Sequence, residues 1–148
     1  VSALDVSIQA QIINLLKHLK ETHQLTFILI THDMSVIKYL ADRVAIMYLG
    51  EIVEIGDKKQ IFSSPKHPYT KALLSAVPQI NGTPQQRIQL SGEIPSPSDL
   101  PQGCKFHARC PEYIKDVCDK HSPCLTQIEP SHNVKCFLYE NKKSKCLD

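Results

Sequence analysis

The fold is predicted from residues 25–33, which read LTFILITHD. Residues 25–31 are apolar or β-branched without polar alternation, a pattern typical of a strand that is covered on both faces. We therefore predict a central parallel strand here. His32 and Asp33 follow it directly, so His32 is placed at the carboxyl end of a strand, where α/β sheets bind ligands.

Helices and a hairpin are predicted on either side of this strand. Residues 7–20 carry apolar side chains at helical spacing, with Asp5 or Ser7 as the N-cap, and residues 34–41 repeat the pattern over a shorter length. Residues 43–48 and 51–55 are strand candidates joined by a tight turn at Leu49-Gly50. Short helices are predicted over residues 58–63 and 70–77, the second ended by Pro78. The prediction is one α/β unit over residues 1–78.

Composition limits the classes of function. The net charge of the 148 residues is only +2, with scattered basic residues, so nothing indicates nucleic-acid binding. The apolar runs are far shorter than the roughly 20 residues that span a bilayer, so any membrane contact is expected to be peripheral. The chain opens on Val1 without a leader, and we expect this start to be a cut and the compartment to be cytosolic.

The last third of the chain differs from the rest. Residues 79–103 are rich in proline, serine and glutamine, which predicts an extended linker. All six cysteines lie in the segment that follows, between Cys104 and Cys146. Clustered cysteines in a cytosolic protein more often hold a metal than form disulfides. We therefore predict a Cys-rich, loop-rich region over residues 104–140, and a frayed tail over 141–148.

Several motifs together resemble one family. Residues 2–5, SALD, are similar to the D-loop of ABC-type ATPases, and His32, one helix and one strand later, is similar to the switch histidine of the H-loop. The HPYT motif at residues 67–70, GEIPSP at 92–97 and QGC at 102–104 resemble the oligopeptide and dipeptide importer branch, most closely its second, F-type ATPase subunit. The resemblance covers essentially the whole chain. It implies the C-terminal part of a P-loop, ABC-type nucleotide-binding domain followed by a Cys-containing tail.

The resemblance implies roles for three residues in ATP hydrolysis. His32 would sense the γ-phosphate, and Ser2 and Asp5 would reach across a dimer interface to the partner's ATP site. Simpler roles stay open, because an Asp at such a position is commonly a helix cap, and His32 could cap the helix that follows it or be satisfied in a polar pocket. The HPY motif is expected to anchor the helix over residues 70–77 against the sheet.

The cysteine spacing leaves two kinds of metal site open. The spacing is not the Cys-x2-Cys pairing of ordinary zinc ribbons, and an iron-sulfur cluster suits wider spacing. Zinc held by cysteines with His107, His121 or His132, or simply buried thiols, is the alternative. The family resemblance implies a 4Fe-4S cluster held by four of the cysteines, with Cys124 as a competitor for the fourth position and Cys146 as an extra: Cys104, Cys110, Cys118 and Cys136.

The implied function is to energise peptide import. The resemblance implies ATP and magnesium for the full-length protein, and as partners a second ATPase subunit, two transmembrane permeases and an external peptide-binding protein, at the cytoplasmic face of the membrane. These 148 residues contain no GxxxxGK phosphate loop and no LSGGQ signature, so we expect no ATP hydrolysis by this chain alone. A stand-alone metal-binding remnant of a split gene and the ATPase of a nickel or small-solute importer are the alternatives.

Overall fold

The computed structural model describes residues 6–77, 87–96, 98–140 and 146–147. Its chain divides into two compact units, Val1–Asp42 and Arg43–Asp148. The predicted D-loop, the first part of the predicted linker, Pro78 and most of the predicted tail lie outside the described residues. Within the described ranges, no helix is long and apolar enough to cross a membrane.

The first unit contains two helices, α1 (Val6–His23) and α2 (Met34–Leu40). Both were predicted, because their apolar spacing is a local property. The Tyr39 hydroxyl donates to Asn14 Oδ1 at 3.1 Å, and Lys17 lies over the Tyr39 ring. These contacts join α1 to α2. Because α1 begins at Val6, Ser7 is not its N-cap, and Asp5 lies outside the described residues.

The predicted central strand is wrong. Residues 25–31 form neither a strand nor a helix. Ile28 and Ile30 are each 93% exposed, where a strand covered on both faces would bury them. A strand needs a neighbouring strand to satisfy its backbone N–H and C=O groups. The described residues of this unit supply only helices, so the apolar sequence pattern has no sheet to join.

The second unit opens with the predicted hairpin, β1 (Arg43–Tyr48) and β2 (Glu51–Asp57). The turn residues Leu49 and Gly50 have φ values of 43° and 81°. Two successive positive φ values give a turn whose twist matches that of the flanking strands. Side chains of β1 alternate between exposed and buried along the strand, so one face of the hairpin packs on the core.

The hairpin belongs to an antiparallel sheet that the sequence did not predict. Three further strands, β3 (Leu125–Glu129), β4 (His132–Lys135) and β5 (Cys146–Leu147), complete a five-stranded sheet in the order β1-β2-β4-β3-β5. Strand β4 pairs with β2 through Glu54 opposite Val134. The Cys-rich region therefore contributes strands to the same sheet as the hairpin, rather than only loops.

Two short helices lie between the hairpin and the Cys-rich region, α3 (Lys58–Ser63) and α4 (Pro68–Ser75). A capping box between Asp57 and Gln60 starts α3. His67 is the N-cap of α4, with Pro68 in the first turn. The predicted linker is described over residues 87–96 and 98–103, which form neither a helix nor a strand.

Candidate functional site

Four free cysteines converge on one cavity. The set is Cys104, Cys110, Cys118 and Cys136. The cavity is small, with a volume of about 10 Å³. Two of the thiols are buried and two are half-buried. We call this site the four-cysteine cavity, and its members are the same four residues that the resemblance assigned as ligands.

Tight backbone packing brings the first and third of these cysteines together. The Cys104 N–H donates to Cys118 O at 2.8 Å, and Gly103, just before it, has a φ of +68°. A Cβ at position 103 would lie 2.4 Å from Cys118 O. Only glycine therefore allows this approach of the two backbone segments.

A short 3-10 helix and a strand end position the other two. The helix His107–Arg109 follows Cys104, and the Cys110 N–H donates to His107 O at 3.2 Å. Cys136 comes directly after β4, in which Val134 is fully buried. Ligand candidates from a loop, a helix end and a strand end thus meet at one site.

The protein environment disfavours the thiolate form of three of these cysteines. Burial is the main cause that raises the pKa of Cys136 to about 12 and that of Cys110 to about 11, and the neighbouring cysteines act in the same direction. Burial likewise raises the pKa of Cys104. Thiolates are the form that binds metal, so binding at this site must release protons and must supply positive charge that offsets their mutual repulsion.

The remaining candidate ligands lie elsewhere. Cys124, the competitor for the fourth position, is disulfide-bonded, so it offers no free thiolate. The Cys146 side chain lies outside the described residues. Of the three histidines considered for zinc, His107 lines the four-cysteine cavity, whereas His121 and His132 do not.

In the part of the chain that the structure describes, no group of three or more His, Cys, Asp or Glu side chains is arranged to hold a metal ion. Tetrahedral zinc, at roughly 2.3 Å from each sulfur, would require sulfurs about 3.8 Å apart. Four cysteines are a donor set that both zinc and an iron-sulfur cluster use.

A buried carboxylate lies behind the cavity and was missed from the sequence. Glu54 on β2 is fully buried, and its oxygens accept the backbone N–H groups of Lys66 at 2.8 Å and His67 at 2.9 Å. His132 Nε2, equally buried, lies 2.8 Å from Glu54 Oε1. The only sequence signal was an acidic residue inside an otherwise apolar strand. These contacts connect the start of α4 to strands β2 and β4.

His67 links this buried network to the four-cysteine cavity. Its ring is 1% exposed, lies 5.6 Å from the Phe106 ring between centroids, and lines the cavity. Its Nδ1 accepts the Tyr69 N–H at 3.1 Å. Burial lowers the pKa of His67 from 6.5 to about 4, so the ring is neutral at physiological pH. The expected anchoring role of the HPY motif fits this buried position.

Of the three predicted ATP-site residues, the structure describes only His32. Its side chain is exposed, and it precedes α2. The cap of α2 is Asp33, whose Oδ1 accepts the Ser35 N–H at 2.8 Å. The alternative in which His32 caps this helix is therefore wrong. Ser2 and Asp5 lie outside the described residues.

Comparison with known proteins identifies the class. Residues 53–118 match the family described as oligopeptide/dipeptide transporter, C-terminal region. That range contains most of the hairpin's second strand, the HPY motif and three of the four cavity cysteines. This stretch of the chain therefore has the sequence of that family's C-terminal region.

Individual relatives extend the similarity over nearly the whole chain. The oligopeptide transport ATP-binding protein AppF of Bacillus subtilis is 49% identical over 94% of the chain, and the putative oligopeptide transport ATP-binding protein YkfD of the same organism is 47% identical over 98%. The dipeptide transport ATP-binding protein DppF of Escherichia coli is 50% identical over 97%. The chain spans only 43%, 45% and 43% of the lengths of these relatives, respectively.

Proposed function

We propose that this chain is the C-terminal part of an ATP-binding subunit that energises the import of oligopeptides or dipeptides. The observation that carries the proposal is 47–50% identity over at least 94% of the chain to proteins named for oligopeptide or dipeptide transport. These names favour peptides over nickel as the transported solute. Identity continuous from the helices into the Cys-rich region also argues against a stand-alone metal-binding remnant.

The ATP chemistry of this proposal uses the start of the chain. His32 is the residue that contacts the γ-phosphate, because an exposed imidazole beside the start of a helix can donate to a phosphate oxygen. Ser2 and Asp5 contribute across the interface with a second ATPase subunit. The phosphate loop and the magnesium ligands come from sequence beyond these 148 residues, so ATP and Mg²⁺ belong to the complete subunit. Its partners are two permeases and an external peptide-binding protein, at the cytoplasmic face of the membrane.

A chimera tests this role. The matching C-terminal part of E. coli DppF would be replaced by this chain, and dipeptide uptake and ATP hydrolysis would be measured in a strain without its own DppF. We expect uptake to be restored and His32→Ala to reduce hydrolysis at least about 100-fold, as losing one transition-state contact does. His18→Ala changes an exposed histidine on α1 and should have no effect. A chimera that assembles but hydrolyses ATP equally well with His32→Ala would refute the role of His32, and nickel uptake without peptide uptake would refute the substrate class.

The four-cysteine cavity is proposed to hold a 4Fe-4S cluster. The support is the convergence of four free thiols from separate segments on one space, a donor set that iron-sulfur clusters use. When bound, the group would cross-link the loop, the 3-10 helix and the strand end that carry the cysteines. Zinc is the competing occupant, and metal analysis of the chain purified without oxygen separates the two.

A further inference from the structure

Polar side chains on one side of α1 contact α2 in the first unit. Asn14, Lys17 and Lys20 are spaced by three residues, so they lie on the same side of the helix. Asn14 Oδ1 accepts the Tyr39 hydroxyl at 3.1 Å, and Lys17 Nζ lies 4.9 Å from the centroid of the Tyr39 ring. Lys20 forms an ion pair with Asp42, two residues after α2. We call these five residues the polar clamp.

Tyr39 is the centre of the polar clamp, because it makes two of its three contacts. It lies in the last turn of α2 and is 50% exposed, so burial alone does not explain its position. A hydrogen bond to Asn14 and a cation over the ring both depend on direction as well as distance. The two contacts therefore fix the orientation of α2 on α1 more closely than an apolar contact of the same area would.

The other end of α2 is attached to His32. The Asp33 N–H donates to Thr31 Oγ1 at 3.0 Å, across His32, and Asp33 Oδ1 accepts the Ser35 N–H at 2.8 Å as the cap of α2. These bonds make the backbone of His32 follow the helix. A seven-residue helix is about 10 Å long, so a tilt of about 10° at one end moves the other end by roughly 2 Å. Misplacement on this scale is large enough to slow a chemical step.

We propose that Tyr39 is a positioning residue for ATP hydrolysis, because its contacts with α1 hold α2 and thereby hold His32 at the γ-phosphate. The inference rests on the proposed role of His32. Tyr39 itself contacts no ATP in this proposal, since it lies at the opposite end of α2 from His32. Helix α1 begins at Val6, directly after the segment that contains Ser2 and Asp5. The polar clamp thus also holds His32 relative to the helix that follows the proposed dimer-interface residues.

Two substitutions remove the same hydrogen bond from its two sides. Tyr39→Phe loses the hydroxyl but keeps the ring, and Asn14→Ala loses the acceptor. In the DppF chimera described above, we expect each to lower kcat about fivefold, as losing one hydrogen bond does, and the double variant to be no slower than either. KM for ATP should change less than about twofold, because the phosphate loop lies beyond these 148 residues. Lys38→Ala, at an exposed lysine of α2, is the control and should change neither constant.

Combination with His32→Ala shows whether Tyr39 acts through His32. Once the imidazole is gone, the polar clamp has nothing left to position at the γ-phosphate. Tyr39→Phe should therefore not slow the residual hydrolysis of the His32→Ala chimera any further. A further fivefold loss in that background would overturn the inference, because Tyr39 would then act on the fold as a whole.

The remaining outcomes separate the inference from the proposed function. Unchanged kcat in Tyr39→Phe and Asn14→Ala, while His32→Ala slows hydrolysis at least about 100-fold, would overturn the role of Tyr39 and leave that of His32 standing. A raised KM with unchanged kcat would also overturn it, because the contact would then serve nucleotide binding. Hydrolysis that is insensitive to His32→Ala, or absent from an assembled chimera, would refute the proposed function and the inference with it.

Discussion

Replacing Gly103 with alanine is expected to destabilise the second unit far more than replacing Gly50 does. Both glycines have positive φ values, +68° and +81° respectively, so alanine at either costs about 1–2 kcal/mol in backbone strain. At position 50 the new methyl group meets no described atom within 4 Å. At position 103 it would lie 2.4 Å from Cys118 O and 2.9 Å from His121 O.

The difference can be estimated from these contacts. Backbone atoms at such distances cannot rotate away as a side chain can, and overpacking of this kind adds about 1–3 kcal/mol. We therefore expect a total loss of about 2–5 kcal/mol for Gly103→Ala, against about 1–2 kcal/mol for Gly50→Ala. The chain contains no Trp, so urea unfolding would be followed by circular dichroism in metal-free buffer. An equal loss for the two variants would refute the tight approach of Gly103 to the Cys118 backbone.

Three further expectations follow from the buried groups. Glu54→Gln should lower the free energy of unfolding in urea by about 3 kcal/mol, because a buried charge-assisted network loses its charged acceptor. Glu51→Gln, at a partly exposed ion pair, should lower it by less than about 1 kcal/mol. Equal losses would contradict the burial of Glu54. The pKa of His67 falls from 6.5 to about 4 on folding, so its contribution to the free energy of unfolding is complete above pH 6.5, and about 3 kcal/mol is lost as the pH falls to 4. The free energy of unfolding, measured at pH 7 and pH 4, should show this loss as a difference between the unchanged chain and His67→Asn. His18→Ala should show no such difference. The pKa of Cys110 is raised to about 11, so its alkylation by iodoacetamide at pH 8 should be at least about tenfold slower in the folded metal-free chain than in urea. Peptide mapping measures both rates. Equal rates would contradict the burial of this thiol.

The local elements of the fold were predictable from sequence. Helices α1 and α2 and the hairpin depend on spacing and turn residues that lie within a few positions of one another. The two successive turn residues at Leu49-Gly50 are an example, because a turn with positive φ at both positions favours glycine. These elements appear where they were expected.

Elements that depend on distant partners were not predictable in the same way. Residues 25–31 have the composition of a buried strand but lack a neighbouring strand among the described residues. Strand β4 is only four residues long, HNVK, and contains a buried histidine, His132, whose Nε2 lies 2.8 Å from Glu54 Oε1. Neither its pairing nor the buried carboxylate leaves a periodic signal in the sequence.

The four cysteines that line the cavity are the four that the resemblance named, and their role as metal ligands stays a prediction. The family resemblance gave the four cysteines of the cavity, but spacing alone could not exclude Cys124, which the structure shows as disulfide-bonded. Nor could spacing reveal that Gly103 and His67 shape the cavity, since both act through contacts with residues distant in sequence. The roles of Ser2, Asp5 and His32 in ATP hydrolysis stay predictions.

The most direct measurement is metal analysis of the chain purified without oxygen, alongside Cys136→Ser and Cys124→Ser. It tests the claim that four thiols from separate segments converge to hold one group. We expect about four irons and matching sulfide per chain with broad visible absorbance, lost in Cys136→Ser and kept in Cys124→Ser. Stoichiometric zinc without iron would contradict the cluster, and metal binding that survives Cys136→Ser would contradict the convergence of the four cysteines.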